Sequence, residues 1–126
     1  MSEVASLSLS KELYKLTGWK DTDGEWIKPR SGNIQAWNST QVSDYAGTQD
    51  KVLNIPTYDL GYLIRKLYLK PDIKYPNTFS IIREDHGNDK YWATYEIAGN
   101  LREAVCAKTP EDACIKLLLI LFKERL

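Results

Sequence analysis

The run from Thr109 to Phe122 limits the possible folds most. Thr109-Pro110-Glu111-Asp112 reads as a helix start. Threonine accepts a free backbone N–H, proline at the first helical position gives up no needed donor, and two carboxylates complement the positive end of the dipole. Ala113, Cys114, Leu117, Leu118, Leu121 and Phe122 then follow one helical stripe toward Lys123-Glu124-Arg125, while Leu119 and Ile120 lie off it. The apolar arc is therefore wide, and such a helix needs cover on more than one side. Either the rest of the chain supplies that cover or a second subunit does, so self-association through the C-terminal helix is one expectation.

The residues before this helix read as strands. Phe79–Glu84, Tyr91–Ile97 and Leu101–Ala107 are strand-like runs, and Tyr91/Ala93/Tyr95/Ile97 alternate against Trp92/Thr94/Glu96. Asp85-His86-Gly87-Asn88-Asp89-Lys90 and Ala98-Gly99-Asn100 are turns of residues that tolerate positive φ. Consecutive strands joined this closely form an antiparallel meander.

Two further helices are expected. Thr57 caps one that carries the stripe Leu60, Leu63, Ile64 and Leu67, has Asp59 in its first turn and stops at Pro71. Leu9, Leu13 and Leu16 mark a short N-terminal helix, capped by Ser8 or Ser10 and ended by Gly18. Glu25–Lys28 reads as a short edge strand ended by Pro29, and beyond Arg30 the pattern is weak. The chain thus predicts one α+β domain over residues 1–126. Residues 57–126 form a helix-strand-strand-strand-helix core, an antiparallel sheet of three or four strands packed by two main helices. Residues 1–56 add the short helix and an aromatic-rich irregular segment.

Composition bears mainly on what the chain does not do. Lys+Arg and Asp+Glu both number 17. Zero net charge gives no electrostatic reason to expect nucleic acid or an anionic membrane. The N-terminus has no basic and apolar stretch of the secretory kind, and the longest apolar run, Leu117–Phe122, is far short of the ~20 residues that span a bilayer. No membrane partner is expected. Cys106 and Cys114 are too few for a disulfide scaffold and read as buried small hydrophobes.

A reaction signature is equally absent. The seven glycines are scattered, without the spacing of a phosphate loop. His86 is the single histidine; as a general base it would need Asp85 to orient it, and it reads instead as part of a polar surface turn. The pairs Glu84/Asp85 and Glu111/Asp112 are explained by strand alternation and helix capping. No catalytic residue, metal ligand or cofactor is expected. Arg65-Lys66 with Lys70 and Lys74 reads as a solvated face.

Aromatic residues remain. Trp19, Trp26, Trp37, Tyr45, Tyr58 and Tyr62 gather around the irregular segment and the second helix. They could pin that segment to the sheet, present a protein interface, or stack on a small planar ligand.

Ile55–Leu67, Tyr91–Tyr95 and Ala107–Lys116, the last reading A-x-T-P-x-x-A-x-x-K, resemble small phage and prophage proteins of the α-β-α sandwich type. The resemblance spans roughly residues 55–126. It implies a phage or prophage origin and a cytoplasmic location in a host cell, and it supplies no catalytic residues. The expected function is that of a non-enzymatic accessory protein acting through protein–protein contact. The alternative is a binder of a small nucleotide-like molecule, which requires a concave pocket lined by Trp or Tyr with convergent Arg or Lys.

Overall fold

A computed structural model describes residues 4–29, 32–38, 40–41, 51–68, 77–84, 90–97 and 99–123. The elements are α1 (Leu7–Thr17), β1 (Gly24–Lys28), β2 (Gln35–Asn38), β3 (Lys51–Pro56), α2 (Leu60–Tyr68), β4 (Asn77–Glu84), β5 (Lys90–Ile97), β6 (Asn100–Ala107) and α3 (Pro110–Lys123). They make an α+β structure with two separate three-stranded antiparallel sheets, ordered β2-β1-β3 and β4-β5-β6.

The second sheet is the expected meander. Phe79 pairs with Tyr95 and Ile81 with Ala93 across β4 and β5, and Ala93 pairs with Val105 across β5 and β6. A register shift after Tyr95 leaves Arg102 as an extra residue on β6. Gly99 turns the chain between β5 and β6 at φ 82°. Asp85–Asp89, with His86, lie outside the described residues.

The first sheet corrects the expectation of an irregular segment. Glu25–Lys28 is not an edge: β1 is the central strand, with β2 and β3 on either side. Between Ile27 and Glu25 the β3 strand takes two additional residues, and Asn54 there adopts φ 57°, a conformation asparagine accepts more readily than most side chains. Thr57 N–H donates to Gly24 O at 3.1 Å and extends this seam past Pro56.

Two expected caps are also corrected. Asp59, not Thr57, caps α2: its Oδ1 accepts the Tyr62 N–H at 2.8 Å. The helix α1 starts at Leu7, so Ser8 and Ser10 lie inside it and Ser6 takes the cap position. The Ser10 hydroxyl is buried without a hydrogen-bond partner among the described residues. Gly18 ends α1 as expected, with φ 72° and its N–H donating to Tyr14 O at 2.7 Å. Thr109 accepts the Asp112 N–H at 3.1 Å, again as expected. Pro71 lies outside the described residues.

The core forms where α3 meets α1, α2 and the meander. Leu117, Leu118, Leu119 and Leu121 of α3 pack with Leu13 of α1, Leu63 and Leu67 of α2, and Ala93 and Tyr95 of β5. Leu119, off the main stripe, is still buried. The chain itself therefore covers most of the wide arc, while Ile120 and Phe122 are half-buried. Each such aliphatic side chain contributes about 1.5–3 kcal/mol when fully buried.

Candidate functional site

Three of the six aromatic residues singled out in the sequence come together, and they close on one another. Thr17 Oγ1 donates to Leu13 O at 2.8 Å and accepts the Trp19 N–H at 3.2 Å, which sets Trp19 just past the αL residue Gly18. The indole meets Phe122 edge-on at 5.2 Å and Tyr62 at 6.5 Å. Tyr58 O–H donates to Trp19 O at 2.5 Å, and Tyr62 O–H donates to the Asp21 carboxylate. Lys66 Nζ lies 4.8 Å from the Trp19 ring centroid and 5.2 Å from that of Tyr62. Lys66 is thus not a solvated face but half of a cation–π contact. Burial pushes both phenols well above the usual tyrosine range, and the Tyr62 hydrogen bond holds Asp21 below the usual carboxylate range. With Tyr58 at 0% exposure and Tyr62 at 5%, the cluster fastens the chain between α1 and β1 to the core. It offers no open ring face to a ligand on the Tyr58 side.

The remaining aromatics sit elsewhere. Trp26 on β1 pairs with Ala36, and Trp37 on β2 pairs with Glu25, so the two indoles lie on opposite faces of the small sheet. Both are half-buried. Trp26 Nε1 is buried and has no hydrogen-bond partner among the described residues. Trp37 Nε1 donates to Gln35 Oε1 at 3.1 Å, and the residue borders a cleft of about 120 Å³ with Asn38, Thr57 and Asp59. Tyr45 lies outside the described residues.

A second surface lies on the meander. Alternation puts Phe79, Ile81, Tyr91, Ala93, Tyr95 and Val105 on the meander face that meets the helices. Ile82, Trp92 and Cys106 form a cross-strand row on the other face, with Leu101 paired to Glu96 at its far end. Ile82 is 54% exposed and Leu101 is 60% exposed. Trp92 is half-buried, held by its Nε1 donating to Glu84 Oε2 at 3.1 Å. The alternation of Trp92/Thr94/Glu96 was the available signal. What the sequence did not show is that every described helix would lie on the opposite side.

Two more clefts border the core. One, of about 200 Å³, is mainly apolar and lies between Ile64 and Leu67 of α2 and Phe79 and Ile81 of β4. The other, of about 420 Å³, runs along the end of β6 between the starts of α1 and α3, and Lys90, Lys108 and Lys116 border it. The aromatic wall and the basic groups required of a nucleotide-like pocket therefore fall in different clefts, Trp37 in one and the lysines in another.

Cys114 is buried in α3, and desolvation pushes its thiol up to about 12. Cys106 is partly exposed on β6. Among the described residues no three His, Cys, Asp or Glu side chains gather as a metal site. No described helix is long and apolar enough to cross a membrane. Compared with protein families, curated proteins and solved structures, the chain matches none.

Proposed function

We propose that this chain is an interaction protein, an accessory protein of the phage or prophage kind, and that it binds another protein through the open face of the meander. The exposed apolar side chains of this face, Ile82 beside Trp92 and Leu101 further along it, carry this reading. Contiguous exposed apolar surface marks an interaction site, and Ile82 and Trp92 adjoin across the strands of this face, with Leu101 extending it along β6. Trp92, beside Ile82, is held in one orientation by its bond to Glu84, which lowers the entropy lost on docking. Three strands of eight residues span roughly 26 Å by 14 Å, or about 370 Å² in projection. That is about half of what one partner contributes to a standard interface. The partner therefore also overlaps an edge of the sheet, or the association is transient. The closed Trp19–Tyr58–Tyr62 cluster is part of the scaffold behind this face. The resemblance of residues 55–126 supports the phage setting and nothing finer.

The test compares the native chain with an I82E/L101E double variant as bait in a cell extract, after both are shown to melt at the same temperature. At least one protein held by the native chain and released by the variant is expected. The same set of proteins on both baits overturns the proposal.

A further inference from the structure

Lys90 begins β5, Lys108 follows the end of β6 and Lys116 lies on α3, yet all three border the one cleft of about 420 Å³. None makes an ion pair among the described residues. Lys116 Nζ donates to Cys106 O at 3.0 Å, which holds that ammonium at the rim. Tyr91 pairs with Ala107, so Lys90 and Lys108 are neighbours across the strand ends. Lys90 also stands directly across the ladder from Glu84 of β4, whose Oε2 accepts the Trp92 indole N–H.

The other wall of the cleft is the first turn of α1, at Ser6 and Ser8. The first bond within that helix is donated by Ser10 to Ser6 O. Leu7, Ser8 and Leu9 thus present backbone N–H groups without a helical acceptor, Ser6 makes no side-chain cap, and the first turn holds no acid. The single carboxylate in the cleft is that of Asp112, whose Oδ1 already accepts the Ser6 N–H at 2.7 Å.

We infer that this cleft binds a small phosphorylated molecule, with its phosphate among Lys90, Lys108 and Lys116. The cleft is bordered by three lysines and by one carboxylate already engaged with Ser6, and with Glu84 counted across from Lys90 the neighbourhood still carries a net positive charge in a chain whose total charge is zero. The volume lies within the roughly 300–1,000 Å³ of small-molecule sites. A long nucleic acid would need a basic track beyond this cleft, and zero net charge does not supply one.

The probe is sodium pyrophosphate, titrated into the full chain and followed by amide NMR shifts. Saturable shifts confined to residues 6–9, 106–108 and 112–116 are expected. A K108Q/K116Q double variant should bind at least ~tenfold more weakly, as loss of two charge-assisted contacts implies. Lys28→Gln, on the far sheet, should change nothing. Asp112→Asn should bind more tightly, because it removes the opposing charge. Adenosine monophosphate and vesicles of phosphatidic acid serve as separate arms. Tighter binding of the nucleotide than of pyrophosphate identifies a soluble phosphate ester, whereas binding to vesicles alone overturns the inference. It is overturned equally if pyrophosphate shifts lysines throughout the chain, gives no saturable shift, or binds the double variant unchanged.

Discussion

Asp112 Oδ1 accepts the backbone N–H of Ser6 at 2.7 Å, across 106 positions of sequence. The same residue donates its own N–H to Thr109 Oγ1 at 3.1 Å. One residue in the first turn of α3 therefore joins the cap of α3, through its backbone N–H, to the start of α1, through its carboxylate. A carboxylate at the entrance of α1 also complements a helix dipole that has no acid of its own.

Replacing Asp112 with Ala should destabilise the chain by about 1.5–3 kcal/mol, the range for a hydrogen bond to a charged group. Asp112→Asn keeps an acceptor and should lose less. Urea unfolding checks this: the midpoint falls while the slope stays constant. A loss below about 0.5 kcal/mol for the alanine variant would mean that the bond does not hold the two helices.

Glycine-to-alanine changes should have opposite signs at two positions. A Cβ on Gly24 would collide with Thr57 Oγ1 and lie 2.7 Å from Trp37 O, where the sheet and the approach to α2 meet. Gly24→Ala should cost about 1–3 kcal/mol as overpacking. A Cβ on Gly61, an exposed position of α2, meets nothing closer than Asp59 Oδ1 at 3.6 Å. Gly61→Ala should stabilise by about 0.5–1 kcal/mol through lower chain entropy. Thermal melts of the two variants decide both signs.

Much of the meander half was legible in the residues because its signals are local. Thr109, Pro110 and the two acids fix the start of α3 without tertiary help, and the alternation around Trp92 fixes β5. The small sheet was not legible. Its strands are four to six residues long and include Gly24, Gln35, Asn38 and Pro56, which favour strands weakly. What holds them is pairing of β1 with β3, far apart in sequence and interrupted at Asn54. Trp19, Tyr58 and Tyr62 were visible as aromatics. Their mutual closure depends on Gly18 and Thr17 turning the chain, so residue type alone could not separate these three from Trp26 and Trp37. The open meander face depended on which side the helices chose, and periodicity along a strand marks two faces without saying which is covered.

The two cysteines should differ sharply in reactivity. Cys114 is fully buried with a thiol pushed up to about 12, whereas Cys106 reaches the surface at the end of β6. At pH 8 in native buffer a disulfide reagent should label one thiol per chain, at Cys106, and the second only in denaturant. Equal labelling of both in native buffer would show that α3 opens on the time scale of the reaction.

Alkaline pH should unfold the chain through its buried phenols. Tyr58 and Tyr62 have folded pKa values raised above the ordinary 10.0, chiefly by desolvation, with the Asp21 hydrogen bond adding to the effect at Tyr62. A raised pKa on an acid means that the unfolded chain ionises first as pH rises. The stabilisation is therefore fully present below pH 10 and is lost progressively above it. Tyr58→Phe also gives up the bond to Trp19 O, so it should lower stability at pH 7 while flattening the alkaline decline. Tyr62→Phe should flatten it too and release the depressed carboxyl of Asp21 toward its ordinary value. Stability measured by urea unfolding from pH 7 to pH 11 in the native chain, the two single variants and the double variant gives the slopes. A decline as steep in the Y58F/Y62F double variant as in the native chain would assign alkaline unfolding to other groups and leave the closed aromatic cluster as packing alone.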